Sequence, residues 1–217
     1  MKLTVRTLFF VAAIALTSLA PSAFADGTVY FNGSYAFGDN GYGIPPYGGT
    51  LDGQSTQFYC VDFSHDITAG MTWSAAVTPV TVGGDYSSTF LGNSSSPTYA
   101  GSNANAGSDY LLFAYLLTEM GQTTNQTTQA EDQWAIWSFT DGGYDPYGSA
   151  NLASIIANAE SNLSSFNPAG WEILTPDAGT YGQEFMIDTP EPSCLLFLAL
   201  GLGALFMLKR RRQALEN

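Results

Sequence analysis

Two uncharged apolar runs, one near each end of this 217-residue chain, confine any globular fold to the residues between them. At the front, Lys2 and Arg6 precede Leu8 to Leu16 (LFFVAAIAL), a stretch too short to cross a bilayer. Ala23-Phe24-Ala25 follows, and the small residues Ala23 and Ala25 form the small-x-small pattern of a cleavage site. Positive start, short apolar core and cleavage pattern together predict a secretion signal over 1–25. Signal peptidase is then the first expected partner, and Asp26 the first mature residue.

At the back, Cys194 to Leu208 (CLLFLALGLGALFML) is uncharged, and Lys209, Arg210, Arg211 and Arg212 follow at once. As a helix those residues reach about 22 Å against a hydrocarbon core of about 30 Å, so the spacing predicts a short transmembrane helix over 194–208. Its basic neighbours extend to the headgroups. Cations collect on the cytoplasmic side of a membrane, which sets everything before the span outside. Pro190-Glu191-Pro192 stands just before it. Pro-Glu-Pro, apolar stretch and basic cluster, in that order at the extreme C-terminus, resemble the PEP-CTERM sorting signal of Gram-negative bacteria. The resemblance implies that a membrane peptidase, exosortase, recognises segment 190–217, removes it and passes the protein to the cell surface. The prolines suit that role, since they keep the motif extended and outside the helix. The expected path is export, residence in the inner membrane with the domain outside, then the cell surface or extracellular matrix.

Between the two segments lies an exported domain, 26–189. It contains no Lys or Arg and seventeen of the nineteen Asp and Glu residues. Nucleic acid phosphates and anionic headgroups repel such a body, which excludes nucleic acid binding. Gly/Pro punctuation such as Gly41-Tyr42-Gly43-Ile44-Pro45-Pro46-Tyr47-Gly48-Gly49 marks a turn-rich, β-leaning chain. Alternation and β-branched or aromatic enrichment predict strands over 28–37, 54–63, 72–82, 171–174 and 183–187. The Ser/Asn/Gly-rich stretch 83–107 reads as an exposed loop. Helices are predicted over 109–120, capped by Ser108 and apolar nearly all round, over 128–139, and over 150–166. In the last, Leu152, Ile155, Ile156, Ala159 and Leu163 recur at helical spacing. Strands flanking a helical insertion give an α+β domain, β-rich and sandwich- or barrel-like, with the C-terminal transmembrane helix appended.

Cys60 is the sole cysteine of this domain, since the other, Cys194, belongs to the tail. An unpaired cysteine outside the cell is an intermolecular bridge, a reactive thiol or a buried one. Strand alternation puts Phe58, Cys60 and Asp62 on one face and Tyr59, Val61 and Phe63 on the other. Gln133 shares a helical stripe with Ala130 and Trp137, where a carboxamide needs a partner if buried. Phe58-Tyr59-Cys60-Val61-Asp62 and Gln133-Trp134-Ala135-Ile136-Trp137 resemble the paired motifs of the thioester domains of bacterial surface adhesins. The likeness covers 58–139. It implies a bond between the Cys60 sulfur and the Gln133 side-chain carbonyl, formed with loss of ammonia. An amine on a partner surface or matrix could then take the acyl group in a single-use reaction, so the chain is not expected to be an enzyme. A non-reactive matrix protein that keeps the fold without the bond is the alternative. The missing lysines fit a stored electrophile, because no ε-amine of the domain itself can quench it.

Other chemistry is sparse. His65 is the only histidine and reads as a solvated loop residue. Asp141-Gly142-Gly143-Tyr144-Asp145 lacks the ligand count of a calcium loop and reads as a turn. No zinc spacing, phosphate loop or dinucleotide fingerprint is present, and neither metal nor cofactor is expected.

Overall fold

Asp52-Gly53 lies between two runs of strand-forming residues, and both residues take positive φ, 51° and 78°. That is the two-residue turn whose twist matches paired antiparallel strands. Around such turns the computed structural model, which describes residues 26–93, 105–140 and 144–189, forms eight strands, three helices and a short 3-10 turn. The strands are β1 (Gly27–Phe31), β2 (Phe37–Asp39), β3 (Tyr42–Ile44), β4 (Tyr47–Leu51), β5 (Gln54–Cys60), β6 (Thr72–Pro79), β7 (Trp171–Pro176) and β8 (Phe185–Asp188). The helices are α1 (Ala106–Gln122), α2 (Gln126–Trp137) and α3 (Ser149–Asn162).

Six strands close into a barrel in the order β1-β4-β5-β8-β7-β6, every neighbouring pair antiparallel. β2 and β3 form a separate hairpin. Phe31, Tyr47, Phe58, Trp73 and Phe185, contributed by five of the barrel strands, meet in a ring cluster around Phe185. Gly49 is what lets β1 and β4 approach there, because a Cβ at that position would sit 2.0 Å from the Tyr30 carbonyl oxygen. The opposite faces of β5, β8 and β7 carry the row Tyr59, Met186 and Ile173. Helix α1 lies over this side, with the Trp171 Nε1–H donating to Thr118 Oγ1 at 3.1 Å and Tyr110 donating to Glu184. The apolar character of α1 follows from that position, since α2 and α3 pack on it in turn.

The β-rich expectation resolves into a closed barrel with a three-helix layer. Strands and helices stand near their predicted places, with three differences. The run predicted as one strand over 28–37 ends at Phe31, and the Gly/Pro-dense stretch after it holds β2, β3 and β4. Ser108 lies inside α1 and does not cap it; its hydroxyl donates to the Asn105 carbonyl. The predicted loop 83–107 is not exposed throughout, since Tyr86, Thr89 and Leu91 are buried against the barrel and α1. The Tyr86 hydroxyl clasps both the N–H and the carbonyl of Thr81. The predicted secretion signal 1–25, the Pro-Glu-Pro motif, the predicted span 194–208 and the basic cluster lie outside the described residues. Among the described residues, no helix is long and apolar enough to cross a membrane.

Carboxyl groups in the helical layer have no cation to neutralise them. Burial, reinforced by Glu119 and Glu131, pushes Asp132 up to about 7, and burial beside Glu160 pushes Asp109 up to about 6. A carboxyl raised in the folded state binds more protons folded than unfolded between its ordinary pKa of about 4 and its folded value. Stability therefore falls as pH rises through that window. Thermal melts should give a higher Tm at pH 5 than at pH 8. Asp132→Asn should raise the pH 8 Tm by several degrees and flatten the profile.

Candidate functional site

Cys60 closes β5, and the chain beyond it is tied to the end of α2. The Phe63 N–H donates to Thr140 Oγ1 at 3.0 Å, and the Ser64 hydroxyl donates to the Thr140 carbonyl at 2.6 Å. Helix α2 is fixed at its other end by Asn125, whose side chain accepts from the Thr127 N–H at 3.0 Å. Gln129 Nε2 braces the α1–α2 turn by donating to the carbonyls of Met120 and Thr123. Held at both ends, α2 buries Ala130 and everything from Asp132 to Trp137.

This arrangement brings the two sequence-predicted residues together, both with no exposed surface. The Gln133 Nε2 group donates to the Cys60 carbonyl at 2.8 Å. Reversing the amide would set two carbonyl oxygens against each other, so the bond fixes its orientation. Gln133 Oε1 is then buried without a hydrogen-bond partner, a condition it shares among the described residues only with Trp73 Nε1. Leaving a buried carbonyl unpaired costs about 1–3 kcal/mol. The Cys60 sulfur is better served. The Trp137 indole N–H donates to Sγ at 3.2 Å, and the thiol donates to the Asp62 carbonyl at 3.3 Å. Burial pushes the Cys60 thiol far above its ordinary range, and the nearby carboxyl groups of Asp62 and Glu184 add to the effect. The Trp137 contact works the other way by stabilising negative charge on sulfur.

Several residues besides Cys60 and Gln133 themselves support this pair. Asp62 is buried; its carboxylate accepts from the Ser64 and Glu184 N–H groups and meets His65 Nδ1 at 2.7 Å. His65 is therefore not a free loop side chain. Its ring packs on Phe90 and Tyr181, and the Asp62 bond raises its pKa. Glu184 is fully enclosed and accepts from Tyr110 Oη at 2.5 Å, Thr175 Oγ1 at 2.6 Å and the Phe90 N–H at 2.9 Å. Burial raises its carboxyl to about 7 against the pull of those donors. An acid directly before the apolar run Phe185-Met186-Ile187 is a visible signal, but nothing local to it names Tyr110 or Thr175 as partners. The β2–β3 hairpin covers the α2 side, with Asp39 accepting from Trp134 Nε1 at 2.9 Å and Tyr42 packed on Phe63, Trp134 and Trp137.

A cleft of about 320 Å³ opens beside the hairpin, between Tyr35, Tyr42, Phe63, Asp66, Trp137 and Gln183. Its wall reaches the sulfur at one remove on two sides. Trp137 bonds Sγ directly, and Gln183 Nε2 donates at 2.6 Å to the same Asp62 carbonyl that accepts the thiol. Among the described residues no cluster of His, Cys, Asp and Glu has the form of a metal site. Of the predicted Asp/Gly turn, 141–143 lie outside the described residues. Asp145 accepts from the Tyr147 and Gly148 N–H groups, as a turn residue does.

No protein-family model matches the chain, and no curated protein matches it either. Among solved structures it is similar to the N-terminal thioester domain of a surface protein from Clostridium perfringens. That similarity has a TM-score of 0.44 and 11% identity, over 76% of this chain and 99% of that one.

In a Gln133→Met chain, which cannot form a Cys60–Gln133 bond, Cys60 should resist a disulfide reagent at neutral pH and react only as the protein unfolds. Labelling that outpaces unfolding, followed by absorbance of the released thiol, would contradict the burial argument.

Proposed function

We propose that the chain is an exported surface or matrix protein whose domain stores an acyl electrophile, an internal thioester between Cys60 and Gln133. The observation that carries this reading is the enclosed amide of Gln133, pressed against Cys60 with its carbonyl oxygen unpaired. A primary amide is a strong acceptor and is poorly served in that position. A thioester carbonyl is a weaker acceptor and loses less there, which favours the bonded form at this atom, although the departing Nε2 takes with it the hydrogen bond to the Cys60 carbonyl.

The bond forms when Cys60 Sγ adds to Gln133 Cδ and the Cδ–Nε2 bond breaks. The thiol proton passes to the departing nitrogen, which leaves as ammonia. Because burial opposes a free thiolate, transfer of the proton to the leaving group within the site replaces its loss to solvent. The Trp137 N–H stabilises the charge that builds on sulfur during the exchange. Later, an amine of a partner attacks Cδ, the Cδ–Sγ bond breaks, and a proton from the amine returns to sulfur. An amide crosslink and a free Cys60 remain, and the reaction cannot repeat. The domain's lack of lysine leaves no ε-amine of its own to consume the bond.

The second reading is a matrix protein in which Cys60 stays a thiol. Its support is the completeness of the sulfur's own contacts, one donor and one acceptor in a site closed to water. Intact mass of the mature protein separates the two. The thioester form is lighter than the sequence by one ammonia and gains methylamine at Gln133 on treatment, and Gln133→Ala removes both signatures. An unmodified mass, with one thiol titrating after denaturation, establishes the second reading.

Delivery is part of the same proposal. Signal peptidase removes 1–25, the apolar segment and Lys209 to Arg212 hold the protein in the inner membrane, and an exosortase-type peptidase cuts at the Pro190-Glu191-Pro192 motif. Replacing those three residues with alanine should leave uncleaved protein in the membrane fraction, read by the size of the band on an immunoblot. Unchanged processing would rule out this route.

A further inference from the structure

The barrel closes through its shortest seam. β4 pairs with β5 along the whole strand, from Tyr47–Phe58 to Leu51–Gln54. β8 meets β5 only at Tyr59–Met186 and Cys60–Phe185, followed by the Val61 N–H donating to the Glu184 carbonyl at 3.2 Å. In an antiparallel ladder, alternate residues direct their N–H and C=O to the same neighbour. The turn at Asp52-Gly53 makes Leu51–Gln54 its closing pair, so Gln54, Thr56 and Phe58 bond toward β4. Ser55 and Gln57 therefore turn their backbone groups the other way, where β8 has already left. Both residues are exposed, and no described strand lies opposite them on that side.

β8 is drawn off by β7. Ile187 pairs with Glu172, and the Thr189 N–H donates to the Gly170 carbonyl at 2.7 Å. The backbone groups of Asp188 consequently face the same opening. A groove of about 470 Å³ lies there, lined by Leu51, Asp52, Ser55, Gln57, Tyr59 and Asp188 among others. The next residue of the chain, Pro190, has no N–H to offer such a ladder.

We propose that this opening is a docking edge for an extended, basic segment of a partner polypeptide, which adds a strand to β5 at Ser55 and Gln57. Unpaired backbone groups beside a groove recognise an extended chain through main-chain hydrogen bonds, with side chains setting the preference. Charge selects the partner. Asp52 and Asp188 flank the groove, and the 17 acidic residues of 26–189 have no Lys or Arg among them. A second copy of the domain thus brings no countercharge to this edge, whereas a strand carrying lysine or arginine does. The site stands apart from the Cys60–Gln133 pair, since Gln57 lies about 10 Å along the strand from Cys60, and it operates whether or not the thioester forms.

Amide hydrogen exchange on the mature protein tests this, with a synthetic peptide that alternates valine and threonine and carries a lysine at each end. In the free protein the Ser55 and Gln57 amides should exchange fast. Saturating peptide should slow both by about tenfold or more, and added salt or Asp188→Asn should weaken the effect. A twin peptide N-methylated along one edge, or one with glutamate in place of lysine, should give little protection. The proposal is overturned if Ser55 and Gln57 stay unprotected, if the N-methylated twin protects equally, or if the protein pairs with itself through this edge.

Discussion

Glu184 is buried in a domain that has no Lys or Arg to pair with it and whose one histidine is bound to Asp62, and much of the structure is arranged around that fact. An enclosed carboxyl group must be ion-paired, hydrogen-bonded or protonated. With lysine and arginine missing from 26–189, only the last two remain. Tyr110 from α1, Thr175 from β7 and the backbone of Phe90 supply the donors. One side chain thereby joins the helical layer, the barrel and the loop before α1. Asp62 repeats the solution beside it, taking backbone N–H groups and His65, the one ion pair among the described residues. Neutral donors compensate a carboxylate less fully than a guanidinium does, so the carboxyl of Glu184 is raised to about 7. Burial and neighbouring carboxylates likewise raise Asp132 and Asp109. These groups and His65, also raised, all favour acid conditions. A lysine-free composition thus carries a defined physical consequence, a fold that loosens as it is deprotonated.

The sequence revealed those parts of the fold whose signals are local. Apolar composition located α1 and helical spacing located α3, each to within a few residues, and α2 stands two residues before its predicted place. β5 and β6 were legible from their aromatic and β-branched runs. β2, β3 and β4 were not, since Tyr42-Gly43-Ile44 and Tyr47-Gly48-Gly49 carry the glycines that usually break a strand. At Gly49 the reason is non-local, for only the nearness of Tyr30 across β1 makes the residue a requirement of the sheet. The capping role predicted for Ser108 failed for a related cause. The helix begins earlier, at Ala106, because Ala106 and Tyr110 are buried.

Cys60 and Gln133 were visible as a pair of motifs, and the structure places the amide of one on the backbone of the other. What no motif displayed was how they are held there. Thr140 grips the chain after β5 and so fixes Cys60 against the end of α2. Asp39, in a hairpin outside the barrel, fixes Trp134 and so covers the same helix. These contacts span long stretches of sequence, and each residue alone is an ordinary polar surface residue in a one-dimensional reading. The aromatic group of Tyr42, Phe63, Trp134 and Trp137 was legible as composition and illegible as a wall.

One strand carries both ends of this argument. At its C-terminal end β5 exchanges β4 for β8 as its paired neighbour, is buried, and is bound through Cys60 to α2. At its N-terminal end it is paired on one side, exposed, and flanked by carboxylates. The difference comes from β8, which serves β5 for two register pairs and then follows β7 toward Gly170. The barrel is closed beside Cys60 and open at Ser55 and Gln57 because β8 keeps to β7 there.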